Sequence, residues 1–173
     1  MILSMYQVSV PPLLQILGSL SNILDKGVAF CAARSVEPVV LITYRLAPDM
    51  YPLSKQVQIV SDQAKGAAAR LAGLEPPSFP DTETSFDELK ARLAKTADYI
   101  KGFKPDQIDG SEEREIVLKG GGREVRFTGQ RYILNFVLPN IYFHAATAYD
   151  ILRHNGVELG KPDFIGSLPE FGA

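Results

Sequence analysis

Pro139-Asn140-Ile141-Tyr142-Phe143-His144-Ala145-Ala146-Thr147-Ala148-Tyr149-Asp150-Ile151-Leu152-Arg153-His154-Asn155-Gly156 is the stretch whose reading decides the fold. It extends an apolar face begun by Tyr132, Ile133, Phe136 and Val137 at helical spacing. Thr128 is placed to cap the start of that helix and Gly156 to close its end. Pro139 lies inside the pattern, where it removes a backbone donor and predicts a bend. A long last helix that carries its own polar row points to a helical bundle.

Working outward, Leu13, Leu14, Ile16, Leu17, Leu20, Ile23 and Leu24 recur at helical spacing, extended by Val28 and Cys31. Pro11 and Pro12 suit a first helical turn, so the first helix is expected over about 10–33. A short helical turn is expected around 39–44, then a connector containing Pro48 and Pro52. Pro52 can open a second long helix with the buried stripe Leu53, Val57, Val60, Ala64, Ala67, Ala68 and Leu71, ended by Gly73. Its alanines permit close backbone approach, which places it deep in the bundle. Ser85-Phe86-Asp87-Glu88 has capping-box spacing and opens a third helix to about Lys101, anchored by Phe86, Leu89, Leu93 and Ile100.

The period then changes. Glu115–Leu118 and Glu124–Phe127 flank Gly120-Gly121-Gly122 and read as a β-hairpin. A phosphate loop would need a lysine and a hydroxyl after its glycines; here Arg123 follows and the chain returns as a strand. The tail, 157–173, is expected to pack across the bundle without a long helix.

A chain of 173 residues with 46% hydrophobic content and a formal charge of -2 is expected to be one domain over 1–173 with a sizeable core. No basic run or arginine-rich arm suggests a nucleic-acid partner. Cys31 is the single cysteine, which suits a reducing compartment and reads as a core thiol. The N-terminus lacks the pattern of a signal peptide. No segment is expected to reach the roughly 20 apolar residues of a membrane span. The expected location is therefore cytoplasmic, with no membrane partner.

His144 shares a helical row with Asn140 and Thr147. Histidine can serve near neutral pH as acid, base or ligand. The other histidine, His154, points into a different sector of the same helix and lies about 15 Å along it, so the two cannot form a metal pair. Asp150 is placed to pair with His154 or Arg153. Asp62 and Lys65 have the spacing of an ion pair, and Gln56 and Asp49 can reach inward near the start of the second long helix. Tyr142 and Tyr149 share a face, where packing is their ordinary role. Ser4, Ser9 and Ser61 stand in no nucleophile elbow. These residues define a candidate pocket of Asp49, Gln56, Asn140, His144 and Thr147; no catalytic or cofactor-binding residue is identified.

The segments Pro139–His144, Thr147–Gly156, Arg45–Met50, Pro52–Val57 and Lys161–Gly166 together resemble a DinB-like family of four-helix proteins known as a domain of unknown function. The resemblance runs from Tyr6 to Gly166. It implies an all-α, antiparallel four-helix bundle with a small hairpin between helices three and four. The broader superfamily often carries a three-histidine metal site, with one histidine on helix two and a His-x-x-x-His pair on the last helix. His144 matches the first of that pair, but its partner position is Ala148 and helix two has no histidine. The resemblance therefore implies no metal and no cofactor here, beyond an unconventional set of His144, Asp49 and Gln56. It also implies a homodimer. The expected topology is up-down-up-down, with a small-molecule ligand between helices two and four. The alternatives are a divergent metal-dependent or thiol-transfer enzyme, and a purely structural or dimeric interaction protein.

Overall fold

The computed structural model describes residues 3–120 and 122–167. Gly121 of the expected hairpin turn and the last part of the expected tail, 168–173, lie outside the described residues. Helix α1 spans Met5–Arg34 and starts well before the two prolines. Ser4 Oγ accepts from the Gln7 amide at 3.3 Å, and Gln7 Oε1 accepts from the Ser4 amide at 3.1 Å. This reciprocal cap satisfies two of the donors that a helix start leaves free. Pro11 and Pro12 thus sit inside the helix and deprive the carbonyls of Gln7 and Val8 of their partners. Gln7 is exposed and Val8 half-buried, which brings water within reach of those carbonyls.

The apolar stripe of α1 lies in the core as expected, except that Val28 is exposed. By length and composition α1 also reaches the threshold of a membrane span, which corrects the expectation that no segment does. Leu13, Leu17, Leu20 and Leu24 of that stripe are buried inside the bundle. Burial of each such leucine contributes roughly 1.5–3 kcal/mol. Cys31 is buried too, and burial first, then the charge of Glu37, pushes its thiol pKa up.

A short helix α2 (Pro38–Ile42) leads to α3 (Leu53–Leu71), which is the central helix. Ala64, Ala67, Ala68 and Ala69 have no exposed surface, and α3 packs on α7, α4 and α1. Gly73 follows its end with φ +74°, a left-handed conformation that side chains disfavour. Helix α4 (Phe86–Lys101) begins at the expected capping box of Ser85 and Glu88. A turn of helix, α5 (Pro105–Ile108), precedes the hairpin of β1 (Glu115–Gly120) and β2 (Arg123–Thr128). Its strands pair antiparallel from Glu115 opposite Thr128 to Gly120 opposite Arg123. Phe127 fastens the hairpin to the bundle through Tyr132 and Phe136, with ring centroids 6.0 and 5.4 Å away.

The last helix has three parts: α6 (Gly129–Arg131), a π-helical stretch Tyr132–Val137, and α7 (Leu138–His154). The deviation predicted at Pro139 takes the form of a widened turn just before it, in which the Leu138 amide reaches the Ile133 carbonyl. A π turn holds one extra residue and so rotates the downstream side chains by about 100°. Helix α8 (Lys161–Ile165) lies on α1, where Gln15 donates to the Ile165 carbonyl at 2.8 Å.

The four long helices do not alternate as expected. Lys90 pairs with Asp25 while the Tyr6 amide donates to Asp109, so α4 runs opposite to α1. Gln56 meets His144 and Arg70 meets Tyr132, so α7 runs opposite to α3. The stretch just before α4 lies beside the start of α3, through Lys55–Asp81 and Gln58–Glu83, and Arg114 beyond α4 reaches the end of α3. Helices α3 and α4 are therefore parallel, and the order is up-down-down-up. An extended chain covers about 3.3 Å per residue against 1.5 Å in a helix, so the link 72–85 is long enough to travel back along α3.

Arg92 on α4 holds that link. Its guanidinium is almost fully buried and meets Asp62 at 2.8 Å, Asp81 at 3.0 Å and Glu83 at 2.9 Å. It also donates to the Pro80 carbonyl at 2.9 Å and to Ser61 at 3.2 Å. Lys65 and Lys95 flank the Phe79 ring from 4.7 and 4.1 Å. Burial pushes the Asp81 and Glu83 carboxyls up. Bonds from Lys55 and Arg92 at Asp81, and from Arg92 and Gln58 at Glu83, outweigh it and hold both pKa values below the ordinary range.

Arg92→Met is expected to destabilise the fold at neutral pH by about 3–5 kcal/mol, because it strands carboxylates beside a buried site. The depressed carboxyl pKa values make the stabilisation complete above the unfolded value of about 4 and progressively lost as pH falls through the folded values. Denaturant unfolding should therefore show a deficit for the variant that shrinks markedly near pH 3. An equal deficit at both pH values would contradict the assignment.

Candidate functional site

The strongest polar contact across the α3–α7 seam joins Gln56 to His144. The segment before α3 is pinned first: Arg45 bridges to Pro52, the Leu53 amide donates to the Tyr44 carbonyl at 3.0 Å, and Arg45 bonds the Met50 carbonyl. That leaves the Tyr51 carbonyl facing Gln56, whose Nε2 donates to it at 3.0 Å. Gln56 is 1% exposed and its amide has one orientation that satisfies both ends. Its Oε1 then faces His144 Nδ1 at 2.6 Å.

An amide oxygen only accepts, so Nδ1 carries the proton and Nε2 carries the lone pair. Nε2 has no protein partner among the described residues, and it is not one of the sealed, unpartnered atoms. It opens to solvent. Burial pushes the His144 pKa below its ordinary value, which favours the neutral ring. Phe143 stands edge-on to the imidazole at 5.2 Å and is itself 57% exposed.

Asn140 lies one turn earlier on the same face and is half-buried. Its Oδ1 is buried and has no donor. A buried acceptor without a donor is costly, by about 1–3 kcal/mol, and calls for a partner. Thr147 is buried, but its hydroxyl donates to the Phe143 carbonyl at 2.8 Å and so is spent within its own helix. Asp49 is exposed on the loop and bonds none of the others. Of the five candidate residues, Gln56 and His144 are brought into contact, Asn140 and Thr147 flank His144 along the helix, and Asp49 bonds none of the others.

The expected Asp62–Lys65 pair forms, but Asp62 also serves Arg92. Neither expected pair of Asp150 forms among the described residues; His154 faces the Tyr44 ring instead, at 6.3 Å between centroids. Spacing alone did not reveal Tyr51, whose carbonyl orients Gln56 from the preceding loop, or Phe143, which reads simply as a bulky helical residue.

The donor set does not fit a resident metal. Gln56 is consumed by His144 Nδ1 and Tyr51, Ala148 supplies no ligand, and Asp49 is remote from the bond. No group of three histidine, cysteine, aspartate or glutamate side chains converges among the described residues. Two larger surface concavities lie elsewhere. One of about 420 Å³ is walled by Phe30, Arg34 and Val157; another of about 600 Å³ lies between the end of α3 and β1. The Gln56–His144 pair forms a partly open ledge at the seam.

A family model described as Domain of unknown function (DUF1993) matches residues 5–165. The crystal structure of a DinB family member protein from Shewanella denitrificans matches with a TM-score of 0.86 and 37% sequence identity, covering 97% of this chain and 95% of that one. No curated protein matches the chain.

At pH 7 the imidazole nitrogen spectrum of His144 should show the Nδ1–H tautomer, and titration should place its pKa below the ordinary 6.5. Its depressed pKa contributes stability that is complete above the unfolded value and lost as pH falls through the folded one. Gln56→Leu should abolish the tautomer preference and cost about 1–3 kcal/mol. A dominant Nε2–H tautomer in the unaltered protein would refute the geometry.

Proposed function

The chain belongs to the family described as Domain of unknown function (DUF1993), and on that premise we propose that it is a helical-bundle protein that binds a small hydrogen-bond-donating ligand on the ledge between α3 and α7. The observation that carries this reading is His144 Nε2, an open acceptor with no protein donor among the described residues. Gln56 supports it by holding the proton on the far nitrogen, so that the open nitrogen offers a lone pair. The lowered pKa of His144 supports a neutral ring, suited to an N–H, O–H or ammonium donor and poorly suited to a carboxylate. Phe143, 57% exposed, supplies apolar surface beside it. The role proposed is binding. The metal-dependent alternative has no group of three metal-ligating histidine, cysteine, aspartate or glutamate side chains among the described residues.

A second reading concerns self-association. Val39, Val40, Tyr44, Leu46 and Tyr51 all keep substantial exposed surface on α2 and the loop that follows. Apolar and aromatic surface of this kind supports a homodimer contact. The lone buried cysteine supports a cytoplasmic setting.

The ligand test is an NMR screen of primary amines, amides and thiols, read at the His144 imidazole. Donor-bearing compounds should bind saturably, and His144→Ala should weaken them by about tenfold or more, as one lost hydrogen bond implies. Preferential binding of carboxylates, or unchanged affinity in His144→Ala, would sink the reading. For the second, light scattering should report a dimer that Val40→Glu converts to monomer; a monomeric unaltered protein would exclude it.

A further inference from the structure

We infer that the cleft between the end of α3 and strand β1 binds a small organic dianion, a phosphomonoester or dicarboxylate, gripped by Arg70 and Arg114. This site is separate from the His144 ledge. The cleft encloses about 600 Å³, and Arg70, Arg114 and Lys119 line it together with Leu74 and Ile116. Neither Arg70, half-buried, nor Arg114, exposed, forms an ion pair among the described residues. Each spends one N–H on the protein: Arg70 donates to the Tyr132 hydroxyl at 3.0 Å, and Arg114 to the Leu71 carbonyl. Their remaining N–H groups have no protein acceptor among the described residues.

Each guanidinium lies against a glycine, Arg70 against Gly66 within α3 and Arg114 against Gly73 just beyond its end. Arg70 folds back over Gly66, where an added Cβ would collide with its Nη1. Arg114 lies over Gly73, where a Cβ would sit 3.2 Å from its Nη1. A glycine inside a helix costs roughly 1 kcal/mol relative to alanine. Gly66 has that cost and receives a positioned guanidinium in return. Both arginines line the same cleft at the end of α3.

The acids on the walls do not neutralise them. Glu115 is engaged by Arg126 at 2.7 Å and Glu75 is exposed without an ion pair among the described residues. The carbonyl end of α3 disfavours an anion by itself, but Arg114 already offsets it at Leu71. Guanidinium groups bind phosphate and carboxylate through parallel N–H donors, so two of them facing one cleft suit a doubly charged group. Leu74 and Ile116 would meet an apolar body attached to it.

The test is titration of inorganic phosphate, phenyl phosphate and phthalate at low salt, followed by calorimetry and amide NMR. Saturable binding of phenyl phosphate or phthalate is expected, with shifts centred on Gly73, Leu74 and Ile116; which of the two binds tells a phosphoryl from a carboxylic ligand. Arg114→Gln should weaken binding by about tenfold or more, in line with the loss of a charge-assisted bond. Arg70→Gln should weaken binding to a similar extent, because it removes the other guanidinium from the cleft. Its melting temperature guards against an unfolding artefact. No saturation with any of the three probes, shifts centred elsewhere, or unaltered affinity in both variants would overturn the site.

Discussion

Arg92 is the constraint on which this bundle depends. Helices α3 and α4 run parallel, so the chain must return along the full length of α3 before α4 can begin. A link of that length carries many polar groups and little apolar surface to hold it. Arg92 supplies the hold from within, with three carboxylates, a carbonyl and a serine around one buried guanidinium. Two of those carboxylates, Asp81 and Glu83, belong to the link, and the third, Asp62, belongs to α3. One side chain therefore ties α3, α4 and their connection together. A charge this deep is stable only because its partners are complete.

With the link in place, α3 becomes the axis of the molecule. Its alanines let neighbouring backbones approach closely, and α7 packs along it. Two polar contacts cross that seam, Gln56 with His144 near one end and Arg70 with Tyr132 near the other. They fix the direction and the register of α7 against α3. Each also leaves an unused capacity facing outward: a lone pair on His144, and free N–H groups on Arg70. The two ends of α3 thus present opposite chemistry, an acceptor ledge and a donor-rich cleft. The π-helical stretch at Tyr132–Val137 lies between these features and sets the facing of Asn140 and His144.

The elements with strong local signals were legible from residue order alone. The capping box at Ser85, the buried stripe of α3, the hairpin around the glycines and the closing Gly156 are all encoded within a few residues of where they act. The first helix start was less so, because Ser4 and Gln7 cap it two turns before the more conspicuous prolines. The bend at Pro139 was legible as a disturbance, but its form as a widened turn was not, since an extra residue per turn leaves no mark in spacing. The exposure of Val28 and the unpaired Asp150 show the same limit: a helical row says which residues share a face, not what lies opposite.

The residue order by itself determined the helical class, the hairpin, most of the core and the family. It also singled out His144 and Gln56 as polar residues able to turn inward, because each interrupts an apolar stripe. Tertiary structure decided the rest. Parallel packing of α3 and α4 depends on a salt-bridge hub whose members span residues 62–92, and no local period encodes such a meeting. The protonated nitrogen of His144 depends on a carbonyl at Tyr51, far away in the chain, through the orientation of a glutamine between them. Helix propensity acts over neighbouring residues, whereas these interactions exist only once distant segments have been brought within hydrogen-bond reach.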